Sequence, residues 1–240
     1  MSVNQGPTKR GRPAVISRQQ VLRGALRIVD ERGIEGLTMR RLGAALGVDP
    51  MAIYHRVPDK AALFDGLVEL VLGSVELPPR TGQWEHDLRA VVRAVRAALL
   101  AHPHAIALIG TRPPTTEAAF DVFEAVASVL LDAGFSAEQA ADGVDCAARM
   151  IIGHTLTEAG RPPGGDVDGG EAEHEGAQRD LPADRYPALR AITSAGVTHS
   201  ADRLFEMALD GLISALRQPG PGTSARAMPS SGGASARPCM

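Results

Sequence analysis

The sequence predicts an all-α protein in which a small N-terminal helix-turn-helix domain precedes a larger helical bundle. Apolar residues recur three and four positions apart along most of the chain, whereas the alternation of apolar and polar residues that indicates strands is not found. Helix-capping residues stand directly before successive apolar segments. Aromatic residues make up only 3% of the chain, so aliphatic side chains must fill most of the core.

The first two helices have clear start and stop signals. Ser17 and Gln20 have the spacing of a capping box, which predicts a helix that begins here and ends at Gly33 and Gly36. Thr38 has a side chain suited to the N-cap of a second helix. The residues expected on the inner side of that second helix are Met39, Leu42, Ala45 and Leu46.

The segment after the second helix predicts a tight turn followed by a very short third helix. Gly47 can adopt the positive φ of a chain reversal, and Val48 supplies an apolar side chain between the two helices. Asp49 is a good N-cap and Pro50 suits the first helical position, so the third helix is expected from Pro50 to about Arg56. Two helices joined by about four residues form a helix-turn-helix, although an ordinary helical hairpin with exposed charges is the alternative.

The rest of the chain is also expected to be helical. Asp59 is expected to cap a fourth helix. Long helices are then expected to begin near Trp84, at Thr115 or Thr116, and after Ser136, and a last one is expected near 201–217. Shorter helices are expected near 105–110 and 183–194. The predicted organisation is a disordered basic arm (1–14), a helix-turn-helix domain (15–61), a ligand-binding and dimerisation domain (62–217) with a mobile loop (161–183), and a disordered tail (218–240).

Charge and composition limit the classes of function that this chain can have. Residues 1–60 hold 11 Lys and Arg against 5 Asp and Glu, whereas the remainder holds 14 against 23. A basic segment on an acidic body indicates a polyanionic partner, here double-stranded DNA. The sequence contains no long apolar run, no secretory signal and only two distant cysteines, so we expect no membrane partner and a cytoplasmic protein.

Motifs for catalysis are not found in the sequence. It contains no phosphate-binding glycine loop, GxSxG, HExxH or paired CxxC, so we expect neither an enzyme nor a cofactor. His174, within an acidic stretch, is interpreted as solvated, and no metal site is expected. An architectural DNA-binding protein without an effector is a further alternative, but the long C-terminal domain argues against it.

The predicted helix-turn-helix identifies candidate side chains for contact with DNA. The residues expected on the outer side of the third helix are Pro50, Met51, Tyr54 and Arg56. Tyr54, Arg56 and Lys60 can donate to phosphate oxygens, and Arg40 is long enough to reach a guanine edge. In the arm, Lys9, Arg10 and Arg12 flank Gly11 and Pro13, a pattern that resembles an AT-hook and favours the minor groove. A solubilising tail is the alternative for this arm.

The stretch LTMRRLGAALGVDPMAIYHRVPDKAALFDGL resembles the DNA-binding domain of the tetracycline repressor (TetR) family of transcriptional regulators. Trp84, ALLAHP, GTRP and AGFS are similar to the ligand domain of the tetracycline repressors themselves. The resemblance spans about Ser17 to Gly160 and, more loosely, the last helix. It implies an all-helical homodimer that is released from operator DNA by a small hydrophobic effector, although a ligand-independent regulator or an activator is the alternative.

The resemblance also implies roles for single residues. Arg40 would read a base, Pro50, Met51 and Ala52 would face bases, and Thr38, Tyr54 and Lys60 would contact phosphates. This chain departs from the family where a histidine usually stands two residues after the tyrosine. Arg56 occupies that position here, and His55 precedes it.

A pocket is expected between the helices of the C-terminal domain. The candidate ligand-binding residues are Trp84, His102, Leu108, Thr111, Arg112, Phe120, Phe123, Met150, His154 and Glu158, although core packing or a helix end is the alternative for most of them. In the resemblance, Leu108 and Thr157 occupy positions where tetracycline repressors have a metal-binding histidine and a glutamate. Since leucine cannot bind Mg²⁺, we predict a pocket that does not bind a magnesium–tetracycline chelate.

The late helices are expected to form the dimer. A stripe of mostly small residues permits close helix approach and comprises Ala208, Gly211, Leu212 and Ala215. Ala147, Ile151 and Thr155 are the expected partner face. The alternative is that both stripes fill the core of one protomer. A two-fold dimer would match a palindromic operator.

Overall fold

The computed structural model describes residues 16–159, 181–196 and 200–218. Over these ranges the chain is all-α, as predicted, and contains no strand. The expected basic arm, nearly all of the expected loop 161–183 and nearly all of the tail 218–240 lie outside the described residues.

Among the described residues, four helices form the N-terminal part, and six helices with one 3-10 turn follow them. The first four are α1 (Arg18–Arg32), α2 (Met39–Leu46), α3 (Pro50–Tyr54) and α4 (Lys60–Leu72). The others are α5 (Trp84–Leu100), the 3-10 turn Pro103–Ala105, α6 (Ile106–Thr111), α7 (Glu117–Asp132), α8 (Ala137–Glu158), α9 (Pro187–Ser194) and α10 (Ala201–Leu216).

Local sequence signals set most helix starts. Ser17 and Ser136 both form complete capping boxes, at the starts of α1 and α8. Thr38 accepts a hydrogen bond from the Arg41 N–H at 3.1 Å and so caps α2. The third helix is shorter than predicted, ending at Tyr54, and α9 begins at Pro187 instead of near 183.

Buried aliphatic side chains form one continuous core through both parts of the chain. Helix α4 connects them, because it packs against α1 on one side and against α5, α6 and α7 on the other. Gly66 allows the close approach of α1, since a Cβ at this position would collide with the side chain of Leu22. A displacement of α4 relative to α1 would therefore disturb this packing.

Two expected faces are corrected by the structure. Ala45 is exposed, because α2 buries Leu42 and Gly43 instead. Ala147, Ile151 and Thr155 are buried inside one protomer, where α8 packs against α10 and its other neighbours, so they do not offer a free partner face.

Among the described residues no single helix is long and apolar enough to cross a membrane. The consecutive segments Trp84–Leu100 and Pro103–Thr111 would pass together on length and composition, but they are bent by 97°. Leu88, Val92 and Leu99 of the first segment are buried in the core.

Candidate nucleic-acid interface and effector cavity

The turn between α2 and α3 is fixed by its backbone. Gly47 adopts the left-handed conformation with φ 66° and ψ 30°, as predicted for a chain reversal. The Val48 N–H donates to the Gly43 carbonyl at 3.0 Å. A Cβ on Gly43 would lie 2.9 Å from the Val48 carbonyl oxygen, so only glycine fits without a shift of the backbone. Asp49 Oδ1 accepts the Met51 N–H at 2.8 Å and sets the first turn of α3.

Helix α3 is anchored by one side and presents the other to solvent. Ile53 is fully buried, and Val57 just beyond the helix is 1% exposed. Met51 and Tyr54 are 62% and 42% exposed, as the groove-facing interpretation requires. Five residues are too few for a helix to be stable alone, so the neighbouring helices hold α3 in place.

Cationic side chains surround this exposed face. Arg40, His55, Arg56 and Lys60 are all exposed, and Lys60 Nζ lies 5.2 Å from the ring centroid of Phe64. Within residues 16–159, 181–196 and 200–218, Arg40 and Arg56 form no ion pair with a carboxylate. Their charges are therefore available to phosphate oxygens or base edges.

The other predicted DNA contacts differ in their exposure to solvent. Thr38 is exposed beside Arg40, whereas Pro50 and Ala52 are half-buried at the start of α3. Lys9, Arg10 and Arg12 lie outside the described residues, so their contact with the minor groove stays a prediction.

A cavity of about 370 Å³ lies between α4, α5, α6, α7 and α8. Its walls are aliphatic apart from one aromatic ring, Phe123, and the side chains at its mouth. The lining residues include Val68, Leu72, Val95, Leu99, Ile109, Val122, Phe123, Val126, Ile151 and Ile152. The size and apolar walls are typical of a site for a small organic molecule.

Arg112 connects this cavity to α4. It lines the mouth, its Nε donates to Asp65 Oδ1 at 2.6 Å, and its Nη2 donates to the Ala61 carbonyl at 3.1 Å. Asp65 and Ala61 both belong to the N-terminal half of α4. The loop after α6 is thus tied to the helix that packs against α1.

Of the predicted ligand-binding residues, Arg112 and Phe123 meet at this cavity. Leu108 is buried in the core close by, and Met150 packs against the core. Phe120 is 55% exposed and lies with Phe123 in a wider recess of about 500 Å³ between α7 and α8. This recess is a surface groove, so Phe120 is not enclosed.

The remaining candidates make contacts elsewhere. Trp84 packs edge-on against Phe135, with 5.0 Å between ring centroids, and His154 packs against Phe205 at 5.8 Å. The other three candidates make polar contacts: Glu158 pairs with Arg96 at 2.7 Å, Thr111 Oγ1 donates to the Ala107 carbonyl at 2.7 Å, and His102 Nδ1 lies 3.0 Å from Asp30.

The His102 contact joins the two parts of the chain. Asp30 is near the end of α1, while His102 precedes the 3-10 turn beneath α6. His104 Nδ1 lies 2.9 Å from the Val29 and Asp30 carbonyl oxygens. The sequence offered His102 as a ligand-binding candidate or a helix-end residue, because nothing local in the sequence shows which distant helix it meets.

Asp87 is a buried carboxylate that the sequence analysis did not single out. Thr81 Oγ1 donates to it at 2.7 Å, and the N–H groups of Thr81 and Gly82 donate at 2.9 and 3.0 Å. These hydrogen bonds, from Thr81 above all, lower the pKa of Asp87 from 3.8 to about 2. The carboxylate therefore holds the loop before α5 in place.

No group of three or more His, Cys, Asp or Glu side chains that could hold a metal ion is found in the part of the chain that the structure describes. At the two positions that match a metal-binding histidine and a glutamate in the resemblance, Leu108 is buried and Thr157 donates to carbonyl oxygens of its own helix.

A short helix held across a glycine turn, with an exposed face and free cations beside it, defines a DNA-binding helix-turn-helix protein, here joined to a helical domain with a cavity. Family models agree with this class. Residues 21–67 match "Bacterial regulatory proteins, tetR family", and residues 78–219 match "Tetracyclin repressor-like, C-terminal domain". The chain belongs to the TetR family and is a DNA-binding transcriptional regulator, not an enzyme.

Individual relatives show the same kinship. The chain is 33% identical to the tetracycline repressor protein class A from transposon 1721 of Escherichia coli, over 82% of this chain and 88% of the relative. It is 27% identical to the transcriptional repressor DrrR1 of Streptomyces coeruleorubidus, over 77% of this chain and 71% of the relative. The solved structure of the Streptomyces coelicolor TetR-family protein ActR with actinorhodin has a TM-score of 0.73 and 28% identity, and covers 85% of this chain and 97% of ActR.

Proposed function

We propose that this regulator is a cytoplasmic repressor that leaves a palindromic operator when a small hydrophobic effector occupies the cavity between α4 and α8. The observation that carries the proposal is the position of α4. Val68 and Leu72 form one wall of the cavity, while Gly66 of the same helix lies against Leu22 of α1. An effector that favours a different position of α4 therefore also favours a different placement of the DNA-binding helices.

Several contacts support this coupling. Arg112 links the cavity mouth to Asp65 and Ala61 of α4, and His102 links the adjoining turn to Asp30 of α1. A packed core of this kind moves between discrete arrangements, because its side chains interlock. The solved complex of ActR with actinorhodin adds that a relative of similar fold holds an organic molecule.

The effector is proposed not to be a magnesium–tetracycline chelate, although several relatives are named tetracycline repressors. Leu108 stands at the position of their metal-binding histidine in the resemblance, and it is only 7% exposed. An aliphatic side chain offers Mg²⁺ no oxygen or nitrogen ligand. Isothermal titration with tetracycline, with and without Mg²⁺, tests this: tight binding that depends on Mg²⁺ would contradict it.

The protein is proposed to act as a homodimer through α8 and α10. Leu156 and Met207 are large apolar residues that are 43% and 64% exposed on these two helices. Gly211 and Ala215, from the predicted stripe of small residues, are also exposed. Sedimentation analysis tests the dimer, and Met207→Asp should shift the protein to monomers if this face is the interface.

The experiment that tests the repressor proposal combines operator selection with a ligand screen. Binding sites would be selected from random DNA, and palindromic sites are expected. A thermal-shift screen would then find molecules that stabilise the protein, and their effect on operator binding would be measured. A stabilising molecule that leaves the affinity for the operator unchanged would favour a ligand-independent regulator instead.

A cavity-filling substitution tests whether the effector binds in this cavity. Ala148 lines the cavity, so Ala148→Leu should weaken effector binding by reducing the available volume. Ala97→Leu is the matched control, since Ala97 is exposed on α5 and does not line the cavity. Equal weakening in both variants would remove the cavity as the effector site.

A further inference from the structure

The mouth of the cavity carries two arginines with paired carboxylates. Arg112 pairs with Asp65 at 2.6 Å, and Arg149 Nη2 lies 3.2 Å from Asp145 Oδ2 within α8. Arg112, Arg149 and Asp145 line the cavity, whereas Asp65 does not. Arg112 thus both lines the cavity and holds Asp65 of α4.

The hydrogen-bonding groups of the Arg112 guanidinium are only partly used. Its Nε and Nη2 donate to α4, but within the described ranges its Nη1 makes no hydrogen bond. Nη1 is not fully buried, so it remains accessible. The side chain as a whole is only 23% exposed, which limits the competition from water.

Asp65 is a weakly held partner. Its side chain is 44% exposed, so water can solvate the carboxylate if the pair separates. Ion pairs at such exposure contribute little to stability because solvent screens them. A ligand carboxylate inside the apolar cavity has little water around it, and a buried charge must be paired. The Arg112 guanidinium is a cation that it can reach, and two parallel N–H···O bonds make such a pair strong.

We propose that the effector is an apolar molecule with one carboxylate, and that this carboxylate displaces Asp65 from Arg112. The inference rests on the proposed effector site and adds the chemical class and the means of regulation. Displacement releases the ion pair between the loop after α6 and α4. Asp65 lies one and a half turns from Lys60, the predicted phosphate contact at the start of α4, so the change acts at the DNA-binding end of the helix.

Two matched fluorescent probes test the chemistry. Anthracene-9-carboxylate and anthracene-9-carboxamide have the same rings and differ in charge, and their binding to the full chain is measured by fluorescence anisotropy at neutral pH. The carboxylate should bind about tenfold or more tightly than the carboxamide, as expected for a charge-assisted pair. Arg112→Gln should remove this preference.

Removing the competitor gives the sharper test. Asp65→Asn should tighten carboxylate binding about threefold or more and leave carboxamide binding unchanged, because only the acid competes with Asp65. Asp145→Asn is the matched control: it removes one negative charge from the same mouth, and a smaller change is expected there. Circular dichroism melts would verify that the variants are folded.

The outcomes separate the two proposals. If both probes bind equally and Ala148→Leu weakens both, the acidic class is refuted while the cavity remains an effector site. If Asp65→Asn does not tighten the carboxylate, or Asp145→Asn tightens it equally, displacement of Asp65 is refuted. If neither probe binds, the inference is also refuted, whereas the repressor proposal is decided by the wider screen and the operator assay.

Discussion

The N-cap of the short helix α3 offers a quantitative test of how the proposed DNA-reading face is held in place. Asp49→Ala removes the acceptor of the Met51 N–H, a hydrogen bond of 2.8 Å at the start of a five-residue helix. Loss of an N-cap costs about 1 kcal/mol. A domain stabilised by about 5–15 kcal/mol remains folded after this loss, so the effect is concentrated in the helix that has little other local support.

The expected loss of operator affinity follows from this local cost. A homodimer would bind the operator with two copies of α3. Ordering both uncapped helices would cost about 2 kcal/mol of binding free energy, which corresponds to a Kd roughly 30-fold weaker. Fluorescence anisotropy with the selected operator at fixed salt would measure it. Thermal unfolding should shift only by the few degrees that 1 kcal/mol represents.

Two control variants separate capping from other effects. Asp49→Asn keeps a capping oxygen but removes the negative charge beside the DNA face, so operator affinity should be unchanged or tighter. Ser136→Ala removes a comparable cap from α8, far along the chain from α3, and should lower stability with little effect on the operator. The reasoning would be refuted if Asp49→Ala bound the operator as tightly as the wild type.

Three further variants test the fold, its acid stability and the arm. Gly66→Ala places a Cβ against the side chain of Leu22 and should cost about 1–3 kcal/mol in thermal or urea unfolding; no loss would mean that α1 and α4 adapt freely. Because hydrogen bonds keep the pKa of Asp87 at about 2, below its ordinary 3.8, its stabilisation is complete above about pH 4 and declines as the pH falls toward 2. The difference in the free energy of unfolding between the wild type and Asp87→Asn should become smaller over that range. A constant difference would argue against the lowered pKa. Deletion of residues 1–14 should weaken operator binding and flatten its dependence on salt, and unchanged affinity and slope would remove the proposed role of the arm.

Local signals in the sequence were sufficient for most helix starts and for the turn. Ser17, Gly47 and Asp49 act through hydrogen bonds and backbone angles within a few residues, so their roles are readable without tertiary structure. The same holds for the exposure of Met51 and Tyr54, because helical periodicity sets which side of α3 faces the core.

The cavity and its links to α4 were decided by tertiary structure alone. Val68, Val126 and Ile152 have the same spacing as core residues, and only the packing of five helices leaves space beside them. The partners of His102 and Arg112 lie 72 and 47 residues away, where no periodicity connects them. The amino-acid sequence thus determined helix α3 and its capping, since those interactions are local, while the cavity, the ion pair at its mouth and the burial of Ala147 on α8 arise only when distant helices come together.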